Sequence, residues 1–206
     1  MKVKSIIFDF DGVICDSVDI KTDAFVEMYK EYGNEICYKV KNFHLQNGGI
    51  SRFVKIKHFH EIFLNTKINE SELSFLANKF AEIVVQKVIK SKYIVGVIDF
   101  LEKNKSLSLF ICTGTPTDEI KKILIKKNIF DLFTNVYGSP QTKVSIIQEI
   151  KTSYNLQSNE LIYFGDALTD YEACVETNVN FIGIQNKDTK FPDHVKQIKN
   201  FLNFYI

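Results

Sequence analysis

Ser5-Ile6-Ile7-Phe8-Asp9-Phe10-Asp11-Gly12-Val13 is an apolar run that stops abruptly in two carboxylates one residue apart, followed by a glycine. Ile6, Ile7 and Phe8 read as a strand covered on both faces, because a buried parallel strand is continuously apolar. Such a strand delivers Asp9 to its C-terminal edge, where ligands sit in open α/β sheets. Side chains alternate along a strand, so Phe10 turns away and Asp11 comes back toward the same mouth. Gly12 then lets the chain turn with positive φ. Two close carboxylates repel unless a cation neutralises them or one takes a proton. That allows Asp9 to serve as nucleophile and metal ligand, and Asp11 as general acid/base. An acidic strand-to-turn junction with capping duty is the plainer alternative for this segment alone.

Downstream of this strand, residues 16–93 carry no buried-strand pattern and no proline. Helices are expected over 18–32, ending near Gly33, over 40–45, ahead of the breaker Asn47-Gly48-Gly49, and over 51–63. Asn69 with Glu72 three residues later is a capping-box start. Leu73, Leu76, Phe80 and Ile83 follow at helical spacing toward Lys90. After Tyr93 the pattern becomes strand–helix alternation, with strands over 107–112, 135–137, 161–164 and 181–184. Helices fall over 97–103, 115–128, 144–154 and 171–177. Thr115 is expected as N-cap of the 115–128 helix, with Pro116 at its first position. Residues 191–206 read as a tail on the core. Alternation of this kind predicts an α/β fold, a doubly wound parallel sheet of Rossmann-like type with right-handed crossovers. The expected division is a catalytic core of residues 1–15 and 94–206 and an inserted α-helical cap domain of residues 16–93. The cap would hang over the strand ends on two linkers, near 15–17 and 91–95.

Composition narrows the function classes. With 206 residues, 45% hydrophobic and 25% charged, the chain is an ordinary globular one. A net charge of +1 gives no support to a nucleic-acid or membrane-surface partner. No apolar run approaches a membrane span, and Met1-Lys2-Val3-Lys4 does not lead into a secretory apolar region. Cys15, Cys37, Cys112 and Cys174 have no C-x-x-C spacing, which suits reduced thiols in a cytoplasmic protein. His44, His58, His60 and His194 stand in no metal-binding or catalytic arrangement.

Three further strand ends carry polar groups. Thr113-Gly114 ends one, where a hydroxyl and backbone N–H groups can hold an anion, or where Thr113 simply caps. Lys143 stands just before a helix and could hold a phosphate oxygen or face solvent. Gly165-Asp166 leads to Asp170, and paired carboxylates beside an apolar strand suit a hard cation such as Mg²⁺, or helix capping. Taken together, acids at two strand ends and anion-binding groups at two others share one rim of one sheet. Charge neutralisation, positioning and an acid/base are the requirements of phosphoryl transfer.

The segments Asp9-Phe10-Asp11-Gly12-Val13, Thr113, Lys143 and Gly165-Asp166-x-x-x-Asp170 resemble, in order and context, the four motifs of the haloacid dehalogenase (HAD) superfamily. The insert looks like the helical cap of its phosphoglycolate phosphatase and β-phosphoglucomutase branch. The resemblance implies a Mg²⁺-dependent phosphatase acting on a small phosphorylated metabolite. Asp9 would form an aspartyl-phosphate, while Asp11 would protonate the leaving group, activate water and bind metal through its carbonyl. Thr113, Gly114 and Lys143 would hold the phosphoryl oxygens, and Asp9, Asp11, Asp166 and Asp170 would surround Mg²⁺. A sugar phosphomutase is the alternative enzyme, and a non-catalytic phosphometabolite-binding protein the alternative of another class. Gly48-Gly49-Ile50-Ser51-Arg52 resembles a segment of the β-phosphoglucomutase cap and offers Arg52 as a substrate contact, or else Ser51 caps and Arg52 is solvated. Lys21 is placed facing the site.

Overall fold

In the computed structural model, residues 3–206 are described; Met1 and Lys2, which begin the expected core segment, lie outside them. Strand β1 (Ser5–Phe8) is followed by four helices, α1 (Val18–Met28), α2 (Asn34–Gln46), α3 (Arg52–His58) and α4 (Glu70–Lys90). Alternation then follows: α5 (Val97–Lys103), β2 (Ser108–Pro116), α6 (Thr117–Lys126), β3 (Asn135–Ser139), α7 (Lys143–Ser153), β4 (Leu161–Gly165), α8 (Leu168–Thr177) and β5 (Asn180–Ile184). A two-residue strand β6 (Gln197–Ile198) ends the series. The sheet is wholly parallel in the order β3-β2-β1-β4-β5-β6. The α/β doubly wound architecture is therefore the one the sequence predicts. The chain works outward from β1 in one direction, returns to β4 on its other side and continues. The order thus reverses at β1, the position at which such sheets bind ligands.

The apolar run of β1 explains its central place. Ile6 and Phe8 enter one core with Phe100, Leu101, Ile120 and Leu124; Ile7 enters the other with Ile146, Ile150 and Cys174. All three are fully buried, as a strand between two helical layers requires. Phe8 stacks on Phe164 with ring centroids 5.4 Å apart, and Phe201 from the tail closes on Phe164 at 5.2 Å. The tail thus packs on the core as expected, although it also contributes β6, a strand too short to leave a periodic signal.

Several expected boundaries move; α8 begins at Leu168, ahead of the expected residue 171, and β3 runs on to Ser139. β2 runs through Thr115 to Pro116, and α6 starts at Thr117, so Thr115 does not cap. Its N–H donates to Thr113 Oγ1 at 3.3 Å, and the register with β3 shifts between Cys112 and Pro116, which keeps the chain extended. α2 begins at Asn34, well before the expected residue 40. The capping box forms as read: Glu72 N–H donates to Asn69 Oδ1 at 2.9 Å, and Asn69 N–H to Glu72 Oε2 at 3.1 Å. A π-helical turn, Phe59–Phe63, extends α3 to the expected end.

The helices between β1 and β2 hold together through Phe25, whose ring lies 4.1 Å from Phe80 and 5.5 Å from Phe59. They join the sheet through two crossing segments that pair with each other. Asp16 N–H donates to Lys92 O at 2.9 Å, and Ile94 N–H to Ile14 O at 3.0 Å. Among the described residues no helix is long and apolar enough to cross a membrane. All four cysteines are free.

Candidate active site

The ladder of β1 extends one residue past the strand, because Asp9 N–H donates to Phe164 O at 2.9 Å. Asp9 is thereby fixed at the rim, 2% exposed, with Oδ1 accepting from Phe10 N–H at 2.7 Å. Phe10 is fully buried and anchors the turn. Gly12 follows with φ +76°, and a Cβ there would lie 2.1 Å from Asp166 Oδ2. Glycine is thus required at 12 both by its backbone and by the carboxylate from β4 that presses against it.

Lys143, from the first turn of α7, reaches into the same rim. Its Nζ donates to Asp9 Oδ2 at 3.1 Å and also to Asp170 Oδ1. Burial works against its charge, but Asp170 and Asp9 outweigh that and hold its pKa above the ordinary lysine range. Asp170 is fully engaged. Oδ1 also accepts from the Tyr163 hydroxyl at 2.7 Å, and Oδ2 from Ala167 N–H at 3.1 Å. Asp166 is freer: among the described residues the Asn186 amide, at 3.3 Å, is the one hydrogen-bond donor to its side chain. Tyr163 and Asn186 carry no motif signal, and sequence reasoning missed both.

Carboxylate oxygens of Asp9, Asp166 and Asp170 lie within 4.8 Å of one another, and all three residues are buried. Burial pushes the Asp9 carboxyl up to about 7 against the pull of Lys143. Burial, then the charges of Asp9 and Asp170, lift Asp166 well above the carboxylate range. Three enclosed carboxylates facing one lysine hold more negative charge than their own cation neutralises. An all-oxygen, electron-rich set of this kind fits a hard divalent cation such as Mg²⁺.

The Asp11 side chain stands outside that cluster. Its Oδ1 accepts from Ser17 Oγ at 2.6 Å and its Oδ2 from Lys21 Nζ at 2.5 Å. Burial raises its pKa, but the Lys21 charge and the bonds from Lys21 and Ser17 outweigh that and keep it below the usual value. Lys21 also donates to Thr115 Oγ1 at 2.8 Å, so it faces the site as expected. Thr113 is 1% exposed beside this rim, and Gly114 and Thr115 line the cavity.

That cavity has a volume of about 360 Å³ and lies between the strand ends and the inserted helices. Its roof comes down on the rim at Gly48 and Gly49. Gly48 O accepts from Thr169 Oγ1, and a Cβ on Gly114 would lie 2.2 Å from Gly49 O. Arg52 lines the cavity, but its guanidinium is engaged: Nη1 donates to Ala77 O at 3.2 Å and Nη2 to Glu119 Oε1 at 2.5 Å. One turn further, Lys55 is 2% exposed and lies against His44 Nδ1 at 2.8 Å. Burial, reinforced by Lys21, pushes Lys55 down to about 7; burial and Lys55 hold His44 neutral. Sequence reasoning missed this pair. The signal was available, since Arg52, Lys55, Ile56 and Phe59 recur at helical spacing and all are buried.

The haloacid dehalogenase-like hydrolase family model matches residues 6–184, and the chain belongs to that family. It is accordingly an enzyme of the hydrolase type that the strand-end motifs resemble. No curated protein matches the sequence. Solved structures share the fold, among them the following three. β-Phosphoglucomutase from Clostridium difficile is similar with a TM-score of 0.79 at 20% identity, covering 97% of this chain and 92% of that one. CbbY from Rhodobacter sphaeroides, in complex with xylulose-(1,5)bisphosphate, has a TM-score of 0.75 at 13% identity, over 98% and 96% of the two chains. The putative HAD-hydrolase YfnB from Bacillus subtilis, bound to magnesium, has a TM-score of 0.72 at 15% identity, over 98% and 96%.

Proposed function

We propose that this protein is a Mg²⁺-dependent phosphatase acting on a small phosphorylated metabolite through an aspartyl-phosphate on Asp9. One observation carries the reading. Asp9 is held at the sheet's reversal point by Phe10 N–H and Lys143, among two further buried carboxylates, and faces a cavity of small-metabolite size. Residues 16–93 act as the cap, and residues 1–15 and 94–206 as the catalytic core. Asp9, Asp166 and, less directly, Asp170 would hold Mg²⁺, with Asp11 contributing through its backbone carbonyl. Bound Mg²⁺ supplies charge neutralisation for Asp9 and the phosphoryl oxygens.

The protein's own groups divide the remaining work. An Asp9 carboxylate oxygen bonds to phosphorus as the ester P–O bond breaks, and the departing alkoxide takes a proton from Asp11, which must first turn from Lys21 and Ser17, the contacts that keep it ionised, and be protonated. Asp11 then takes a proton from water, whose oxygen bonds to phosphorus and frees Asp9. Lys21 and Ser17 position Asp11 between these turns. Lys143, Thr113 and the Gly114 N–H hold the phosphoryl oxygens. Arg52, committed to Glu119 of α6, ties the cap to the core.

A second reading, a sugar phosphomutase, is favoured by the close contact of Gly48 and Gly49 with Thr169 and Gly114, since a cap held down on the rim would limit the water that otherwise takes the phosphoryl group. Phosphate release from phosphorylated sugars, glycolate and nucleotides, with and without Mg²⁺ and beside Asp9→Asn, separates the two. Mg²⁺-dependent release that Asp9→Asn lacks supports the phosphatase. Isomerisation of a sugar phosphate without release supports the mutase, and binding without turnover refutes both. The fold, the composition and the reduced cysteines are consistent with a cytoplasmic enzyme.

A further inference from the structure

The three carboxylates of the rim are not held alike. Asp9 has the Phe10 N–H at 2.7 Å on Oδ1 and Lys143 at 3.1 Å on Oδ2. Asp170 has Lys143 and the Tyr163 hydroxyl on Oδ1 and the Ala167 N–H on Oδ2. Asp166 depends on Asn186, whose amide reaches its Oδ2 at 3.3 Å. The same amide donates to the Asp166 backbone O at 2.7 Å, so it holds that residue at both ends. Oδ2 also stands against Gly12, 2.1 Å from where a Cβ there would lie. With Oδ2 engaged on these two sides, Oδ1 is the Asp166 oxygen with no donor among the described residues, and it is the one left for a cation.

Asn186 follows β5 in an exposed loop, so packing does not fix it. Its hydrogen bonds do. Oδ1 accepts from the Asp188 N–H at 2.9 Å and the Thr189 N–H at 2.7 Å, a turn that engages the carbonyl end and aims the amide back at Asp166. Both ends of the side chain are thereby committed. The next residue, Lys187, goes instead to Asp19 on α1 at 3.1 Å, where both are exposed. What a fixed carboxylate achieves depends on the ion. Mg²⁺ demands near-ideal octahedral placement of its oxygens, whereas Ca²⁺ accepts a larger and more flexible set. A carboxylate free to swing serves Ca²⁺, and one held in a single direction favours Mg²⁺.

We propose that Asn186 is a positioning residue that fixes the Asp166 carboxylate and so sets the preference of the rim for Mg²⁺ over Ca²⁺. The inference rests on the Mg²⁺ reading of the rim and adds the residue that confers selectivity between the two ions.

The test is calorimetric titration of the metal-stripped protein with Mg²⁺ and, separately, with Ca²⁺, which needs no turnover. Asn186→Ser keeps an oxygen for the turn but is too short to reach the Asp166 carboxylate. It is expected to bind Mg²⁺ about 10- to 100-fold more weakly, the usual cost of losing a group that orients a metal ligand. Ca²⁺ should bind nearly as it does to wild type, so the ratio of the two affinities falls by about 10-fold or more. Lys187→Met, in the same loop, is expected to leave that ratio unchanged. A ratio unmoved in Asn186→Ser, including a loss shared equally by the two ions, overturns the inference and leaves the Mg²⁺ reading standing. An equal fall in Lys187→Met assigns the effect to the loop as a whole and also overturns it. Wild-type protein that takes up neither ion overturns the inference together with the Mg²⁺ reading. A ratio that falls as expected, with no phosphate released from any ester of the panel above, overturns the phosphatase reading and leaves the inference standing.

Discussion

Replacing Gly114 with alanine separates cap closure from the chemistry beneath it. Gly114 has no positive φ, so alanine is not strained by its backbone there, and it keeps the N–H assigned to the phosphoryl group. The added methyl would lie 2.2 Å from Gly49 O and 2.8 Å from Gly49 C, where real contacts essentially never fall under 3.0 Å. The obstacle is backbone, not a flexible side chain. The cap loop must therefore withdraw by about 0.8 Å, the difference between 3.0 and 2.2 Å. That displacement pulls Gly48 O from the Thr169 hydroxyl and opens this contact. A misplacement of about 1 Å costs on the order of 100-fold in rate. The fold is not expected to suffer. Forcing the closed state would cost about 1–3 kcal/mol of overpacking, which opening the cap relieves, and alanine in an unstrained position adds about 0.4–1 kcal/mol. Gly114→Ala should thus lose about 100-fold in kcat/KM with an unchanged or raised melting temperature. Limited proteolysis at the linkers around Asp16 and Lys92 should quicken. Activity within about threefold of wild type would refute the reasoning, since a closure that tolerates the methyl does not position the site to the precision assumed.

Three further outcomes are expected. Glu119→Ala leaves Arg52 enclosed without its carboxylate, so urea unfolding should show a loss of about 3–5 kcal/mol; no change would mean the pair holds nothing together. Mg²⁺ at about 100 times its dissociation constant should stabilise the wild type by about 2.7 kcal/mol and restore turnover after chelation. Asp166→Asn should lose both effects, and an equal thermal shift in that variant would place the cation elsewhere. The Lys55 ammonium is pushed down to about 7 in the fold from 10.5 in the unfolded chain. Between those values the unfolded chain binds the extra proton, so wild-type stability rises with pH relative to Lys55→Met, by up to about 1.4 kcal/mol per pH unit. Below the folded value the difference is flat. Paired urea titrations across neutral and alkaline pH check this, and a difference constant throughout would show the amine is not held in the enclosure described.

The parts of the fold legible from sequence are those in which one local signal agrees with the global arrangement. Ile6, Ile7 and Phe8 face two cores, so their continuous apolarity names a central parallel strand. Asn69 and Glu72 form their box within three residues, so nothing distant could override it. Thr115 shows the opposite case. Thr-Pro-Thr-Asp carries every local mark of a helix start, but the Thr113 hydroxyl captures the Thr115 N–H and the strand continues. The acids of the rim could be read because each ends or follows an apolar strand. The partners that fix them could not: Tyr163 reads as one more strand aromatic, and Asn186 lies in a polar loop. Lys55 sits among Lys57 and His58 in a helix that looks basic and solvated, and only its spacing from Arg52, Ile56 and Phe59 marks the buried face. The engagement of Arg52 by Glu119 spans 67 residues and has no local trace.

The central claim is that phosphorus passes through Asp9. The most direct measurement is rapid acid quench of the Mg²⁺-loaded protein during turnover of its best phosphate ester, followed by peptide mapping by mass. A phosphoryl group on the peptide that contains Asp9, absent from Asp9→Asn, is the predicted result. Steady Mg²⁺-dependent phosphate release with no phosphorylated Asp9 peptide at any quench time, or release that persists in Asp9→Asn, would contradict it.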